Sequence, residues 1–277
     1  MKIRIIVDSG SNLYADEIDR YDIGWIPLHI VYPDGKVILD SPELGENMYD
    51  DIISGNLSTS QPTPEKIAQV FEETLRKYDY GIYLAMSSAL SGTYMAARMV
   101  LSDMKTDRIK VIDSRQITIG VDVLVMRLID EIQRGIDPYK IEDMVRHFRG
   151  RQRFYFLLET LEPLIRGGRI GKAKYIMGSV LKIVPLLVID EEGYIDAYKK
   201  ARGVPKVIKM IREYVEGDVI SDNFDMHVVI GRPKHKAILP FAEELAEKYG
   251  AKIKLVRPLT AIHVGIWGIG VSYIKEG

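Results

Sequence analysis

The opening strand signal constrains this chain more than any other feature. Ile3–Val7 is an apolar run interrupted only by Arg4, and it stops at Asp8-Ser9-Gly10-Ser11-Asn12, five residues that favour turns. Such a run reads as a parallel strand covered on both faces, where a half-exposed strand would alternate apolar and polar residues. A buried parallel strand needs a crossover to its neighbour, and the crossover is usually a helix. The sequence supplies one repeatedly. Helical spacing is expected over Pro64 to Tyr78 (Ile67, Val70, Phe71 and Leu75 on one face), Ser91–Met104, Ile117–Arg134 and Pro138–Phe148. Strands are expected at Trp25–Val31, Val37–Leu39, Gly81–Met86 and Arg108–Ile112, and Leu44–Ile53 reads as a further helix. This is a β-α-β-α order, which predicts a parallel sheet flanked by helices.

The second half changes character. Arg153–Leu158 reads as a strand, and Leu161–Gly171 as a short helix ending in a glycine-rich turn. Lys182–Ile189 and Tyr194–Lys200 flank Asp190-Glu191-Glu192-Gly193 and read as a β-hairpin. Helix, strand, helix and strand follow at Val204–Val215, Asp225–Gly231, His235–Tyr249 and Lys252–Val256, and Ile262–Ile274 reads as a glycine-rich strand. The fold class expected is α/β, with two α/β domains. An N-terminal parallel-sheet domain covers 1–155 and a C-terminal mixed-sheet domain covers 156–277, the boundary falling near Gly150 to Glu159.

Charge and composition narrow the function classes. The net charge of -1 creates no field drawing nucleic acid or a membrane surface. The longest fully apolar run, Ile183 to Ile189, is far shorter than the roughly 20 residues of a membrane span, so no integral membrane segment is expected. The apolar stretch at the start is too short for a signal peptide. There is no cysteine, which removes disulfides, a thiol nucleophile and a thiolate zinc site, and suits a cytoplasmic protein. The five histidines lack metal-ligand spacing, so no metal or other cofactor is expected.

Two hydroxyl clusters carry the chemical signal: Thr59-Ser60-Gln61-Pro62 and Ser87-Ser88-Ala89-Leu90-Ser91-Gly92-Thr93-Tyr94. Each precedes a helical run, where hydroxyls and unpaired backbone N–H groups together favour an anion. Neither contains Lys or Arg, so the ligand expected is a small anion on neutral donors, a carboxylate before a triphosphate. In a parallel sheet, Asp8-Ser9, the Ser87 cluster and Asp113-Ser114 each follow a strand and should meet at one sheet edge. Helix capping accounts for Ser91, Thr59 and Ser60 equally well when each is taken singly. His263 lies among apolar residues and fits either a core role or an anion contact. A serine hydrolase or acyl transferase using Ser91 and His263 is the enzymatic alternative, although Ala89 stands where the nucleophile elbow needs glycine. Gly168-Arg169-Ile170-Gly171-Lys172 lacks the spacing of a phosphate loop. The basic residues there fit a solvated face, a partner surface or, as a third class, nucleic-acid binding, which the net charge disfavours.

Taken in order, these motifs resemble the DegV family of bacterial fatty-acid-binding proteins. The marks are Asp8-Ser9, Thr59-Ser60-Gln61-Pro62, Ser87-Ser88-x-Leu90-Ser91-Gly92-Thr93-Tyr94, Asp113-Ser114, Gly167-Gly168-Arg169-Ile170, Lys182-x-x-Pro185 and Arg202. The resemblance implies a long-chain fatty acid held between two domains. Its carboxylate would rest on Thr59, Ser60, Ser91, Gly92, Thr93 and His263, and its chain would run into an apolar tunnel mostly in the second domain. It also implies a lipid-binding protein that is not itself an enzyme, presenting its ligand to a separate fatty acid kinase, with Arg169 and Arg202 as the residues of a partner or phosphate surface. The sequence departs from the family at Ile266-Trp267, where Pro-Gly is usual, and at Asn12, where an acidic residue is common.

Overall fold

The computed structural model describes residues 1–54, 56–176, 183–218 and 225–275. The first half runs β1 (Ile3–Asp8), α1 (Ala15–Arg20), β2 (Gly24–Ile26), β3 (His29–Val31), β4 (Val37–Leu39), α2 (Tyr49–Ser54) and β5 (Ser58–Ser60). It continues with α3 (Pro64–Lys77), β6 (Tyr80–Ala85), α4 (Thr93–Met104), β7 (Ile109–Asp113), α5 (Ile119–Gln133) and α6 (Ile141–Arg151). The second half runs β8 (Gln152–Leu158), α7 (Glu162–Arg166), β9 (Ile183–Ile189), β10 (Ile195–Arg202) and α8 (Val204–Asp218). It closes with β11 (His227–Ile230), α9 (Ile238–Tyr249), β12 (Lys252–Leu255), α10 (Pro258–Val264) and β13 (Gly268–Ile274).

The expected parallel sheet is present in the order β2-β1-β6-β7. Its central strands are mostly apolar because both faces are covered. Ile5, Val7, Ile82 and Leu84 pack with Val121, Leu124 and Leu128 of α5. Ile6, Tyr83 and Ala85, pointing the other way, pack with Ile67, Val70 and Phe71 of α3 and Ala97 and Val100 of α4. Helix α3 starts as its sequence dictates. Pro64 takes the first turn and the Thr63 hydroxyl accepts from the Lys66 N–H at 3.3 Å.

The second half is a six-stranded mixed sheet in the order β10-β9-β8-β13-β11-β12, in which only β11 and β12 pair in parallel. Side chains alternate along β8. Tyr155 and Leu157 join the core under α8 and α9, while Phe154, Phe156 and Leu158 face a second core shared with the first half. The expected boundary at residue 155 falls inside this strand. Lys182, the expected start of the hairpin, lies outside the described residues; the hairpin itself pairs Ile189 with Ile195 and Ile183 with Arg202.

Three expectations need correction. Trp25–Val31 is two strands: β2 closes one edge of the parallel sheet, whereas β3, beyond Pro27, centres a separate antiparallel sheet in the order β4-β3-β5. Thr59 and Ser60 are therefore in a strand and not a loop, held by pairing with Ile30 and His29. Ile262–Ile274 is divided between α10 and β13. Pro258 at the first helical position starts α10, and Gly265 at φ +76 ends it, a conformation that glycine tolerates.

The two halves are tied by buried polar contacts. Lys254 of β12 meets Asp122 at 2.9 Å and Glu17 at 2.6 Å. Asn12 donates to the Leu255 carbonyl and accepts from the Arg257 N–H. The Arg257 guanidinium meets Asp40 at 3.2 Å and donates to the carbonyls of Ser41 and Pro42.

Candidate functional site

The parallel order brings three loops to one edge, as expected. Met86 N–H and the Tyr83 hydroxyl donate to Asp8, and Ser88 N–H and its hydroxyl donate to Asp113. Burial pushes the Asp8 carboxyl up, opposed by the donors Tyr83, Met86 and Gly10, and this cluster braces the loops. Most hydroxyls of the second cluster are spent in the same way. Ser87 donates to the Gly193 carbonyl at 2.8 Å and accepts from the Ala89 N–H, and Ser88 is bound to Asp113.

Ser91 differs. Among the described residues its Oγ meets only Thr93, with Oγ1 at 2.8 Å and N at 3.3 Å. The N-cap position of α4 belongs to Gly92, whose own side is filled by Gln61: a Cβ there would lie 2.3 Å from Gln61 Nε2. Thus the two clusters touch through Gly92 and Gln61. They line one open pocket with Leu28 and Leu90. The expected pairing of the clusters holds. Thr59, Ser60, Ser91 and Gly92 all line the pocket, and Thr93, at the start of α4, is buried beside Ser91.

The same pocket receives Arg169 from the second half. The two clusters themselves offer only neutral donors, and a cation reaches the same pocket from a distant segment. The turn after α7 folds back so that Arg169 N–H bonds the Leu164 carbonyl and the guanidinium bonds the Gly167 carbonyl. Among the described residues, Arg169 has no ion pair and no carboxylate side chain lines the pocket. Arg202 sits exposed at the end of β10, paired with Ile183, and does not line this pocket.

His263 of α10 lies beneath Thr59, with Nε2 2.8 Å from Thr59 Oγ1. Gly167 approaches its other nitrogen so closely that a Cβ there would stand 2.6 Å from Nδ1, which explains the absence of a side chain at 167. Nδ1 is buried without a partner. Burial, followed by the charges of Arg169 and Arg166, pushes the imidazole pKa down to about 4. Both influences favour the neutral ring. Its hydrogen bond goes to Thr59 and not to Ser91, which bonds Thr93, and among the described residues Nδ1 meets no carboxylate.

Beside His263, Thr260, Val264 and Gly265 border an apolar crevice of about 50 Å³. Phe154, Phe156 and Leu158 of β8 line it on one strand and Gly268 and Gly270 of β13 on the next. The glycines are space-makers, since a Cβ on Gly270 would lie 2.9 Å from Val229 and 3.0 Å from Phe154. Sequence reasoning did not find these lining residues, although the Phe154-x-Phe156-x-Leu158 alternation and the Gly268-x-Gly270 spacing both carry the signal. Ile266 lines the crevice, and Trp267 lies under the Lys234 ammonium at 3.8 Å.

Comparison with known proteins gives a consistent picture. A family described as "Uncharacterised protein, DegV family" matches residues 2–276. A DegV domain-containing protein of Caldanaerobacter subterraneus is 33% identical over 217 residues, covering 78% of this chain and 77% of its own. Two solved structures align over 100% of both chains at 25% identity. They are a DegV family protein of Thermus thermophilus, described for its fatty acid binding (TM-score 0.89), and DegV of Bacillus subtilis, described as a fatty acid binding protein (TM-score 0.86).

Proposed function

The chain belongs to the DegV family, and from that premise we propose that it binds a long-chain fatty acid between its two halves. The observation that carries this reading is a polar pocket and an apolar crevice set on either side of one contact, Thr59 to His263. A pocket with hydroxyls and Arg169 but no lining carboxylate meets His263 through Thr59, and His263 adjoins a crevice lined almost wholly by apolar side chains. A carboxylate removed from water costs several kcal/mol unless it is bonded. Ser91, Ser60, Thr59, the N–H groups of Gly92 and Thr93 and the Arg169 guanidinium are the donors that offset this cost. If Nε2–H of His263 donates to Thr59, the Thr59 hydroxyl hydrogen is free for the anion, so a neutral imidazole suffices. Affinity then comes from the chain, at ~0.8 kcal/mol per buried methylene. The crevice must widen as the chain enters.

In this reading the protein is a carrier and not an enzyme. It divides into an N-terminal unit with the head-group loops and a C-terminal unit with the acyl crevice, parting ahead of β8. It presents the carboxylate to a separate fatty acid kinase, with Arg169 beside the head group and Arg202 on the outer surface. Support for the kinase step comes from the family resemblance. The separation of Ser91 from His263 in the hydrogen-bond network disfavours the hydrolase alternative. Denaturation and solvent extraction of the protein purified from a bacterial host should release a stoichiometric amount of fatty acid; a protein that releases none and takes up none on incubation with oleate is not a fatty-acid carrier.

A further inference from the structure

A second cleft, on the far side of the Asp113–Thr118 loop, has chemistry of its own. It has a volume of about 960 Å³ and lies between β7 and α6 of the first half and β8, β9 and β10 of the second. Arg115 and Arg149 both line it. Among the described residues neither forms an ion pair. Arg115 gives one guanidinium bond, to the Glu191 carbonyl at 2.8 Å, and Arg149 gives one long bond, to the Asp113 carbonyl at 3.4 Å. Of the four carboxylates that line the cleft, three are engaged elsewhere, and the fourth, Glu191, is exposed and meets Arg115 through its backbone carbonyl. Asp113 accepts from Ser88 and the Arg115 N–H, Glu142 pairs with Lys110 at 2.7 Å, and Asp190 pairs with Lys172 at 2.6 Å.

We propose that this cleft is a second anion-binding site, in which Arg115 and Arg149 together receive a phosphate group. A guanidinium offers a planar fork that matches phosphate oxygens two at a time, and two forks match the double charge of the group. The position is unfavourable without such a ligand. Burial pushes Arg149 down, and Arg115 beside it pushes in the same direction, with Asp113 only partly opposing. A structural arginine is normally stabilised by a carboxylate, and these two share one that is already hydrogen-bonded three times. Arg115 is held at φ +47 in the loop, so its side chain faces the cleft at a conformational cost. The walls beside the pair, including Tyr94, Phe154 and Val188, offer apolar surface to whatever carries the phosphate. This site does not depend on the fatty-acid reading.

Titration with inorganic pyrophosphate, followed by its phosphorus resonance, tests the proposal. Saturable binding is expected at low millimolar concentration or tighter. Arg149→Gln and Arg115→Gln should each weaken it about tenfold, the loss of one charge-assisted bond. Arg169→Gln, in the other pocket, should change it less than about twofold. The thermal midpoint of Arg149→Gln should stay level or rise, because the substitution removes a crowded charge; a lowered midpoint would show Arg149 to be a structural tie. Absence of saturable binding, binding that survives both cleft substitutions, or binding lost on Arg169→Gln each overturns the proposal.

Discussion

Two of the groups of charged and polar side chains at the junction of the halves are built on opposite rules. In the tie formed by Lys254, Asp122, Arg257 and Asp40, each cation meets a carboxylate, and the side chains are nearly inaccessible: 6% and 0% exposed for the first pair, 1% and 0% for the second. In the pocket lined by Thr59, Ser91 and Arg169, with His263 bonded to Thr59 behind it, the described residues give Arg169 no carboxylate, Ser91 Oγ no partner but Thr93, and one imidazole nitrogen no hydrogen bond. Paired charges fix one geometry, even though Asp40 Oδ1 and Arg257 Nε have no hydrogen bond among the described residues. Unsaturated donors in an open pocket keep capacity for something from outside.

Removal of one partner from the paired tie should give the largest effect. Arg257→Met leaves Asp40 buried and unpaired and should cost about 3–5 kcal/mol of unfolding free energy in urea. The double variant Arg257→Met with Asp40→Leu should recover most of the loss, because a buried pair replaced by apolar groups is often neutral. A single substitution costing less than about 1 kcal/mol would erase the contrast between the two regions.

The contrast itself was only half visible in the sequence. Ile3–Val7 and the helical run at Pro64 dictated the parallel sheet because two-sided burial and amphipathic spacing are local properties. The hydroxyl clusters were visible for the same reason. Arg169 was legible as a basic residue but not as a pocket residue, since its place depends on the turn after α7 docking against His263. The Ile262–Val264 helix was read as strand because its apolar residues lack a polar face; it is buried between the two halves, where periodicity is lost. Asn12 looked like a departure in a turn, yet it bonds Leu255 and Arg257 across more than two hundred residues.

Acid should separate the two regions next. The His263 pKa is about 4 in the fold against an ordinary value near 6.5, so between these values the unfolded chain holds a proton that the folded chain refuses. Its contribution is complete above about pH 6.5 and is lost as the pH falls toward 4, by up to about 3 kcal/mol. His263→Gln should remove that part of the slope, measured as the difference in unfolding free energy between wild type and variant across this range. A difference that does not vary with pH would mean that the imidazole is not held neutral, and that the pocket is more nearly saturated than its hydrogen bonds imply.

The smallest change tests whether spare capacity means binding. Ser91→Ala removes one hydroxyl whose bonds among the described residues are a shared contact with Thr93 and a long acceptance from its N–H. Since Gly92 holds the cap position, the fold should lose no more than about 1 kcal/mol. Affinity for a fatty acid should fall roughly tenfold or more, because a hydrogen bond to a charged group is worth about 1.5–3 kcal/mol. Affinity for the matching methyl ester should hardly move, since an uncharged head group gains little from that donor. Equal losses for acid and ester would assign Ser91 to the start of α4 alone. A loss confined to the acid would make the unsaturated hydroxyl, and not the helix it precedes, the reason for serine at this position.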